Sequence, residues 1–557
     1  MTKNKVLKSN IKSSGNFYNS DLILRNYLKN HLPNKSLTEI EESLDFIGVK
    51  AANEMDELSL KADKNGPKVI YRDSYGENIY KIDFHPSYNE LVKIAIQSGM
   101  FSVKWSENNR LKYGDRNKRS FGISSLYAMS EMGVYCPLCM TDGAAHLIDK
   151  YGDDDIKNEL LNGISSQNME TFLSGAMFLT EKAGGSDVGA NLVQANKVEG
   201  KTYELSGEKW FCSNANAEVI FVLGRTGSQD LGTKGLSLFL LQPKKNEKPL
   251  KIIRLKDKLG VRSMASAEIQ LENDRAILIG EENNGFKIMT EMINISRLYN
   301  SVAAVSASRR ALIEAYEFTL NRQTFGKNLI EHILVREKLE ELGALNCANF
   351  YLTWEAISLL DEAENGDKRA KEKLRIITPM VKKWSAEKGV YLVRESMELM
   401  GGIGYIEDLV MPKIMRDILV LPIWEGAGNI MFLDMLRASA KTKGLYYILE
   451  EIKIELSQYK GEEKNSLLDK LDKLIQNFEK LAHQSTEEQQ RQSKYLFENL
   501  TDIFQISILL REYRNYKHSY LKYALNYLIT KYLDVSMLSV KKGLSESEVK
   551  DLIAWEV

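Results

Sequence analysis

The chain has 557 residues, 43% of them apolar, and 75 Lys+Arg against 76 Asp+Glu leave a formal net charge of −1. That length exceeds what one hydrophobic core ordinarily serves and predicts three or four structural units, while the charge balance excludes a dominant nucleic-acid footprint. Four cysteines in so long a chain exclude a disulfide-held scaffold and point to a reducing compartment, and the lack of an eighteen-residue apolar run excludes a transmembrane helix.

The first twenty residues carry Lys3, Lys5, Lys8 and Lys12 but lack the apolar face of an organelle transit peptide. No cleaved leader is expected, and the expected location is cytoplasmic. Residues 1–175 read as an N-terminal helical domain. Stretches such as YNELVKIAIQSGMFSV repeat apolar residues at three and four, and strand-like alternation is scarce. Ser36 opens SLTEIEESLDFIGVKAANE with early acids, as suits a helix start. Near residue 190 the texture changes. TYELSGEKWF, EVIFVLGRT, GLSLFLLQP, KIIRLK and SAEIQLEN are short β-branched and aromatic runs parted by turns, which predicts a central antiparallel β-domain over 176–284. Long helical patterns return at about 286–322, 329–363, 368–402 and 425–440, enough for a C-terminal four-helix bundle over 285–440. Residues 441–557 read as an additional C-terminal helical domain, in which STEEQQRQSK is a solvated helix face. The fold class is α+β, with the β-domain between helical ones.

Five segments hold residues suited to binding or chemistry. In Thr180-Glu181-Lys182-Ala183-Gly184-Gly185-Ser186-Asp187, glycines let the backbone approach a ligand, and amides with a Ser hydroxyl suit an anion such as a pyrophosphate. An ordinary Gly-rich turn looks the same, and the Lys-Ser/Thr ending of a P-loop is absent. Lys209-Trp210-Phe211-Cys212-Ser213-Asn214 puts adjacent aromatics on a strand, a pattern commoner in cores than in cofactor sites. Arg322-Gln323-Thr324-Phe325-Gly326 ends a predicted helix. Its Arg suits bidentate phosphate binding, and Arg with a following Gly is also ordinary capping chemistry. Gly401-Gly402-Ile403-Gly404-Tyr405 reads equally as a helix stop. Trp424-Glu425-Gly426-Ala427-Gly428-Asn429 sets a Glu near a helix start, which dipole chemistry alone favours. Cys136-Pro-Leu-Cys139 has redox or half-zinc-site spacing but no second pair and reads as structural, and the six histidines show no paired helical spacing, so no metal is expected. The cluster of Arg511, Arg514, Lys517 and His518 with Tyr513, Tyr516 and Tyr520 reads as a solvated face beside an oligomer contact in preference to a nucleic-acid surface.

In this order and spacing, the segments resemble the acyl-CoA dehydrogenase flavoprotein family from about residue 80 to 440. TEKAGGSD is similar to the family's first signature, KWFCSN to its flavin-side strand, RQTFG to its inter-subunit phosphate contact and GGIGY to its bundle motif. MRD at 415–417 followed by WEGAGN is similar to the segment that bears the catalytic Glu. Within the family, FHPSYNELVK, KDKLGVRS and IWEGAGNIMFLDMLR look most like the AidB-like branch. So do Phe211 where Trp is usual, Glu398 where Gln is usual, and the extra helical domain.

The resemblance implies an FAD-dependent oxidoreductase that converts an acyl-CoA thioester to a 2,3-enoyl-CoA. Glu425 would be the α-proton base and its backbone N–H an oxyanion donor, with the flavin as hydride acceptor. The backbone from Met177 to Thr180 and the Thr180 hydroxyl would meet the isoalloxazine edge, Gly185 and Ser186 the pyrophosphate, and Phe211 and Ser213 the ring. Trp424, Gly426, Ala427 and Asn429 belong to the same cofactor segment. Arg322, Phe325, Glu398 and Gly402 would come from a neighbouring subunit, which implies a homo-oligomer, dimer or tetramer. Glu398 would set a carboxylate near a pyrophosphate. Arg297 matches the Arg near the CoA portion of the substrate, and Asn294 stands where many members carry Asp. An electron-transfer flavoprotein is the implied electron acceptor. The AidB-like branch leaves open a DNA-associated flavoprotein of the alkylation response with little dehydrogenase activity. An oxygen-using oxidase is a third reading.

Overall fold

The computed structural model describes residues 15–533 and 543–556. The basic residues Lys3, Lys5, Lys8 and Lys12 lie outside these, as does part of the predicted C-terminal domain. The N-terminal region is helical, from Leu22–His31 through Glu41–Asn53, Met55–Lys64, Pro86–Gln97 and Arg116–Ala128 to Tyr135–Tyr151 and Asp154–Ile164. The stretch opened by Ser36 is not one helix. Ser36 lies inside a short helix, Asn34–Thr38, and the chain restarts at Glu41, where Glu41 and Glu42 suit the N-terminal dipole. YNELVKIAIQSGMFSV also breaks, since the helix stops at Gln97 and Gly99 takes φ +79°.

A hairpin interrupts the helices, against the all-helical expectation: β1 (Lys68–Arg72) pairs antiparallel with β2 (Asn78–Asp83). The Asp73 carboxylate accepts from the N–H groups of Tyr75 and Glu77, both at 2.9 Å, which closes the turn. The Tyr71 hydroxyl donates to the Ile253 carbonyl at 3.1 Å, so the hairpin extends the β-domain.

That domain comprises β3 (Gly175–Phe178), β4 (Gln194–Glu199), β5 (Thr202–Ser213), β6 (Val219–Arg225), β7 (Leu236–Leu241), β8 (Lys251–Leu255) and β9 (Ser266–Ile279). The order is β3-β6-β4-β5-β9-β7, with β8 beside β9, and a β6–β7 pairing closes it on itself. The pairing is not wholly antiparallel: β3 and β4 each meet β6 in parallel. β6 and β7 are buried along their whole length because both faces are covered. Alternation sends Ile220, Val222 and Phe239 into the β-domain core and Phe221, Leu223 and Leu238 into the helical core.

The bundle helices are Gly285–Asn321, Ile333–Glu364, Lys368–Met400 and Gly428–Lys441, close to the sequence expectation. Among the described residues, five further helices follow, from Gly444–Gln458 to Glu546–Ile553. Their Leu500, Leu509, Leu525 and Leu552 share one core with the bundle. Buried Arg309 binds three parts of the chain together. It reaches both oxygens of Asp21, at 3.1 and 3.2 Å, and the carbonyls of Ile553 and Ala554, at 2.6 and 3.0 Å. A guanidinium out of water needs this full set of acceptors.

Candidate active site

The chain leaves the third bundle helix at Gly401, makes the short helix Met411–Ile418, and turns into the fourth bundle helix through Glu425. Glu425 takes φ +56° and Gly426 φ +99°. A bulky residue in the left-handed region persists only where its surroundings hold it. Here two cations do so. Arg297, from the first bundle helix, donates to the Glu425 carbonyl at 3.2 Å. Lys382, from the third, donates to the carbonyls of Gly426 and Pro422 at 2.6 and 3.4 Å. Gly426 is favoured by its φ, while a Cβ there would meet only the mobile end of Met431, 2.5 Å from its Cε. Arg297 also donates to Asn294 Oδ1 at 3.1 Å and to Asp434 Oδ2 at 2.7 Å, and Arg375 pairs with the other Asp434 oxygen.

Glu425 is half-buried, and no described residue donates a hydrogen bond to its carboxylate. Loss of water around the charge pushes its pKa up to about 7, although Arg297 and Lys382 pull the other way. The Lys382 ammonium is pushed down to about 7, again by burial first. The thiols of Cys136 and Cys139 are raised by burial and further by the Glu425 charge, so they remain protonated neighbours of the site.

The TEKAGGSD loop lies beside β5, because the Trp210 N–H donates to the Thr180 carbonyl at 2.8 Å. Glu181 anchors the loop. Its carboxylate meets Lys209 Nζ at 2.6 Å and accepts from the N–H groups of Leu192 and Val193. Lys209 is fully buried, and burial lowers its pKa. Beyond the anchor, Gly185 and Ser186 are exposed, and Gly184 takes φ +129°. A Cβ on Gly185 would lie 3.2 Å from Thr180 Oγ1, so glycine keeps that hydroxyl open. Met177 is half-buried on β3. The β5–β9 register slips between Lys209 and Cys212. This bulge re-aims Phe211, which has φ +53° and is 58% exposed, while Cys212 enters the core. Ser213 Oγ lies 3.1 Å from Ser266 Oγ.

The remaining sequence-derived residues lie on other surfaces. Arg322 is exposed at the base of a two-residue hairpin, with Phe325 at its tip, 96% exposed and at φ +50°. Glu398 is exposed and paired with Arg394 at 2.5 Å, which offsets its charge. Gly402 is exposed with nothing within 4 Å of a Cβ. Among the described residues, no hydrogen bond joins Arg322, Phe325, Glu398 or Gly402 to the Thr180 or Glu425 segments. Ala427 and Asn429 are exposed at the start of the fourth bundle helix. The buried indole N–H of Trp424 has no acceptor among the described residues, nor do the backbone N–H groups of Glu425, Gly426 and Ala427. The orphaned indole N–H and the unpartnered amides of this turn are donors of the kind that a carbonyl or anionic group of a bound ligand accepts from.

Lys382, Asp434 and the Glu181–Lys209 pair did not emerge from motif reading. For Lys382 and Asp434 the signal is charge inside an otherwise apolar run, the Lys382-Lys383 pair in ITPMVKKWS and the lone Asp434 in IMFLDML. The C-terminal basic cluster is engaged within the chain: Arg511 meets Glu355 at 2.6 Å and Glu512 at 3.3 Å, and Arg514 pairs with Glu455. Among the described residues no group of His, Cys, Asp and Glu is placed to hold a metal, and no helix is long and apolar enough to cross a membrane.

Residues 283–440 match the family model of the acyl-CoA dehydrogenase C-terminal domain, 176–273 that of the acyl-CoA dehydrogenase middle domain, and 8–171 that of the adaptive response protein AidB N-terminal domain. Acyl-CoA dehydrogenase family member 11 of Caenorhabditis elegans is 30% identical over 437 residues, spanning 76% of this chain and 70% of that protein. The putative acyl-CoA dehydrogenase AidB of Escherichia coli (strain K12) is 31% identical over 415 residues, spanning 72% and 74%. The crystal structure of Caenorhabditis elegans ACDH-11 in complex with C11-CoA superposes with a TM-score of 0.87 at 26% identity, covering 96% of this chain and 93% of that one.

Proposed function

The chain belongs to the acyl-CoA dehydrogenase family, and we propose from that premise that Glu425 takes the α-proton of an acyl-CoA thioester on its way to a 2,3-enoyl-CoA. The observation that carries this reading is the state of Glu425. Its carboxylate accepts no hydrogen bond from the described chain, is held by a strained turn, and has a pKa pushed up to about 7. A base poised near neutral pH suits a weakly acidic proton beside a carbonyl. The N–H groups of Glu425, Gly426 and Ala427, without acceptors among the described residues, suit the negative charge that develops on the thioester oxygen.

When bound, FAD would supply the acceptor for the β-hydride. Met177, Thr180, Gly185, Ser186, Phe211 and Ser213 hold it from this subunit, with Trp424, Gly426, Ala427 and Asn429. Arg322, Phe325, Glu398 and Gly402 serve the site of a second copy, which their exposure supports. Arg297 and Asn294 act within the chain in this reading: Arg297 is committed to Glu425, Asn294 and Asp434, so it fixes the loop and does not hold CoA. The C11-CoA bound to the Caenorhabditis elegans relative supports an acyl-CoA as ligand, and an electron-transfer flavoprotein is the electron acceptor that fits. Anaerobic titration of the purified yellow protein with an acyl-CoA chain-length series tests the reading. Bleaching by one or more members is expected. A colourless protein that FAD cannot reconstitute, or a flavin that no member bleaches, overturns it.

A further inference from the structure

Lys382 has no part in the reaction as described, yet it is the side chain that spans the Glu425 loop. It is 1% exposed, and its ammonium bridges the carbonyls of Pro422 and Gly426, on either side of Trp424 and Glu425. A trans peptide is planar, with its C=O and N–H directed oppositely. The Glu425 carbonyl faces Arg297, so the Gly426 N–H points away from the first bundle helix. The Gly426 carbonyl faces Lys382, so the Ala427 N–H points away from the third. Two buried cations on two helices thus turn the N–H groups of Gly426 and Ala427 away from the helices that carry those cations.

We propose that Lys382 is the positioning residue of the catalytic loop, fixing the left-handed turn at Glu425 from beneath and lending its charge to the Glu425 carboxylate. This rests on Glu425 being the base. The charged groups facing the pair are Arg297 from the first bundle helix and Lys383 and Glu387 from Lys382's own helix, while the Cys136 and Cys139 thiols approach from Tyr135–Tyr151. Lys383 and Glu387 pair with each other, and Arg297 is shared with Asp434, so Lys382 is the cation whose nearest acceptors all belong to the loop. A lysine that only filled space beneath the loop would leave the Glu425 titration unmoved.

The test compares wild type with Lys382→Met and Lys382→Arg in the FAD-loaded protein. Infrared difference titration follows the Glu425 carboxyl without substrate, with Glu425→Gln as the blank. The midpoint should rise by about one pH unit in Lys382→Met and return toward wild type in Lys382→Arg. Flavin bleaching at saturating acyl-CoA should shift its rising limb by the same amount. At pH 7, where the carboxylate fraction drops from about a half to about a tenth, its rate should fall about fivefold, with the apparent KM within about twofold. An unmoved midpoint in Lys382→Met overturns the proposal. If that variant fails to fold, Lys382→Gln takes its place in the same titration, and an unmoved midpoint there overturns the proposal equally. Glu425→Gln separates the failures. If it bleaches as wild type does, the base assignment falls and this inference with it. If its bleaching is lost while Lys382→Met is silent, only the role of Lys382 falls.

Discussion

The Arg297 guanidinium donates to the backbone carbonyl of Glu425 at 3.2 Å, and the same side chain is bound to Asp434 at 2.7 Å. One buried fork therefore joins the first bundle helix, the Glu425 turn and the fourth bundle helix. Arg297→Lys keeps the charge but replaces the wide planar fork, which reaches its acceptors from both Nε and Nη1, with one compact ammonium. Bleaching at saturating acyl-CoA should slow by about tenfold or more, with KM little changed, and stability should drop by about 1–3 kcal/mol in urea unfolding. A raised KM with an unchanged limiting rate would return Arg297 to CoA binding.

Glu425→Gln keeps the size and the backbone N–H but cannot accept the α-proton. Bleaching should slow by at least about 100-fold, with FAD content unchanged. In wild type the carboxylate is the working form, so the rate should climb as pH rises through about 7. Stability runs the other way. The folded midpoint lies above the ordinary 4.5, so the folded state binds a proton that the unfolded state has lost, and stability falls as pH rises between the two values. Glu425→Gln should therefore gain on wild type in thermal melts at pH 8 relative to pH 4. Stopped-flow absorbance from pH 5.5 to 8.5 and paired melts check both.

Much of this architecture is legible in the sequence because it rests on long periodic signals. The bundle helices fall close to where the 3.6-residue pattern puts them, and the β-domain announces itself in β-branched runs. The hairpin β1–β2 was hidden because KVIYR and NIYKID are too short and too exposed to show alternation. The parallel pairing of β3 with β6 depends on a contact 44 residues away in sequence, between Gly175 and Val219, which no local pattern encodes. In the site, the motif residues are readable as types, but their geometry is not. Phe211, Phe325 and Glu425 all take positive φ, which their side chains disfavour and which only surrounding contacts impose.

Arg322 stands exposed at the base of its hairpin, and among the described residues it has no ion pair. If it serves a neighbouring copy's phosphate, Arg322→Ala should lower the flavin-to-protein absorbance ratio after dialysis while leaving monomer stability within about 0.5 kcal/mol. An unchanged ratio in a protein that still oligomerises would remove Arg322 from the cofactor site.

Duplex DNA binding should be weak. Arg511 and Arg514 of the C-terminal cluster are already paired with Glu355, Glu512 and Glu455, and freeing them for phosphates means breaking those pairs. Fluorescence anisotropy near physiological salt should show no submicromolar affinity. Tight binding that is lost when Arg511, Arg514 and Lys517 are neutralised would revive the DNA-associated reading.

The buried pair of Lys209 and Glu181 makes the strongest claim on stability. Lys209 is fully buried, its partner is 2.6 Å away, and that partner also accepts from the Leu192 and Val193 N–H groups. Lys209→Met fills nearly the same space but leaves a carboxylate out of water without its cation, at a cost of about 3–5 kcal/mol. Glu181 adjoins Thr180, whose carbonyl is held by the Trp210 N–H, so the loss should loosen the loop that carries Gly185 and Ser186. FAD reconstitution should weaken along with stability. Adding Glu181→Gln removes the orphaned charge while keeping an acceptor for the two N–H groups, so the double variant should recover part of both losses. A lysine that merely occupied volume would be replaced by methionine at little cost, and the second substitution would then only add damage. Urea unfolding and FAD titration of the two single variants and the double decide between these outcomes, because only a true ion pair makes the double variant better than Lys209→Met alone.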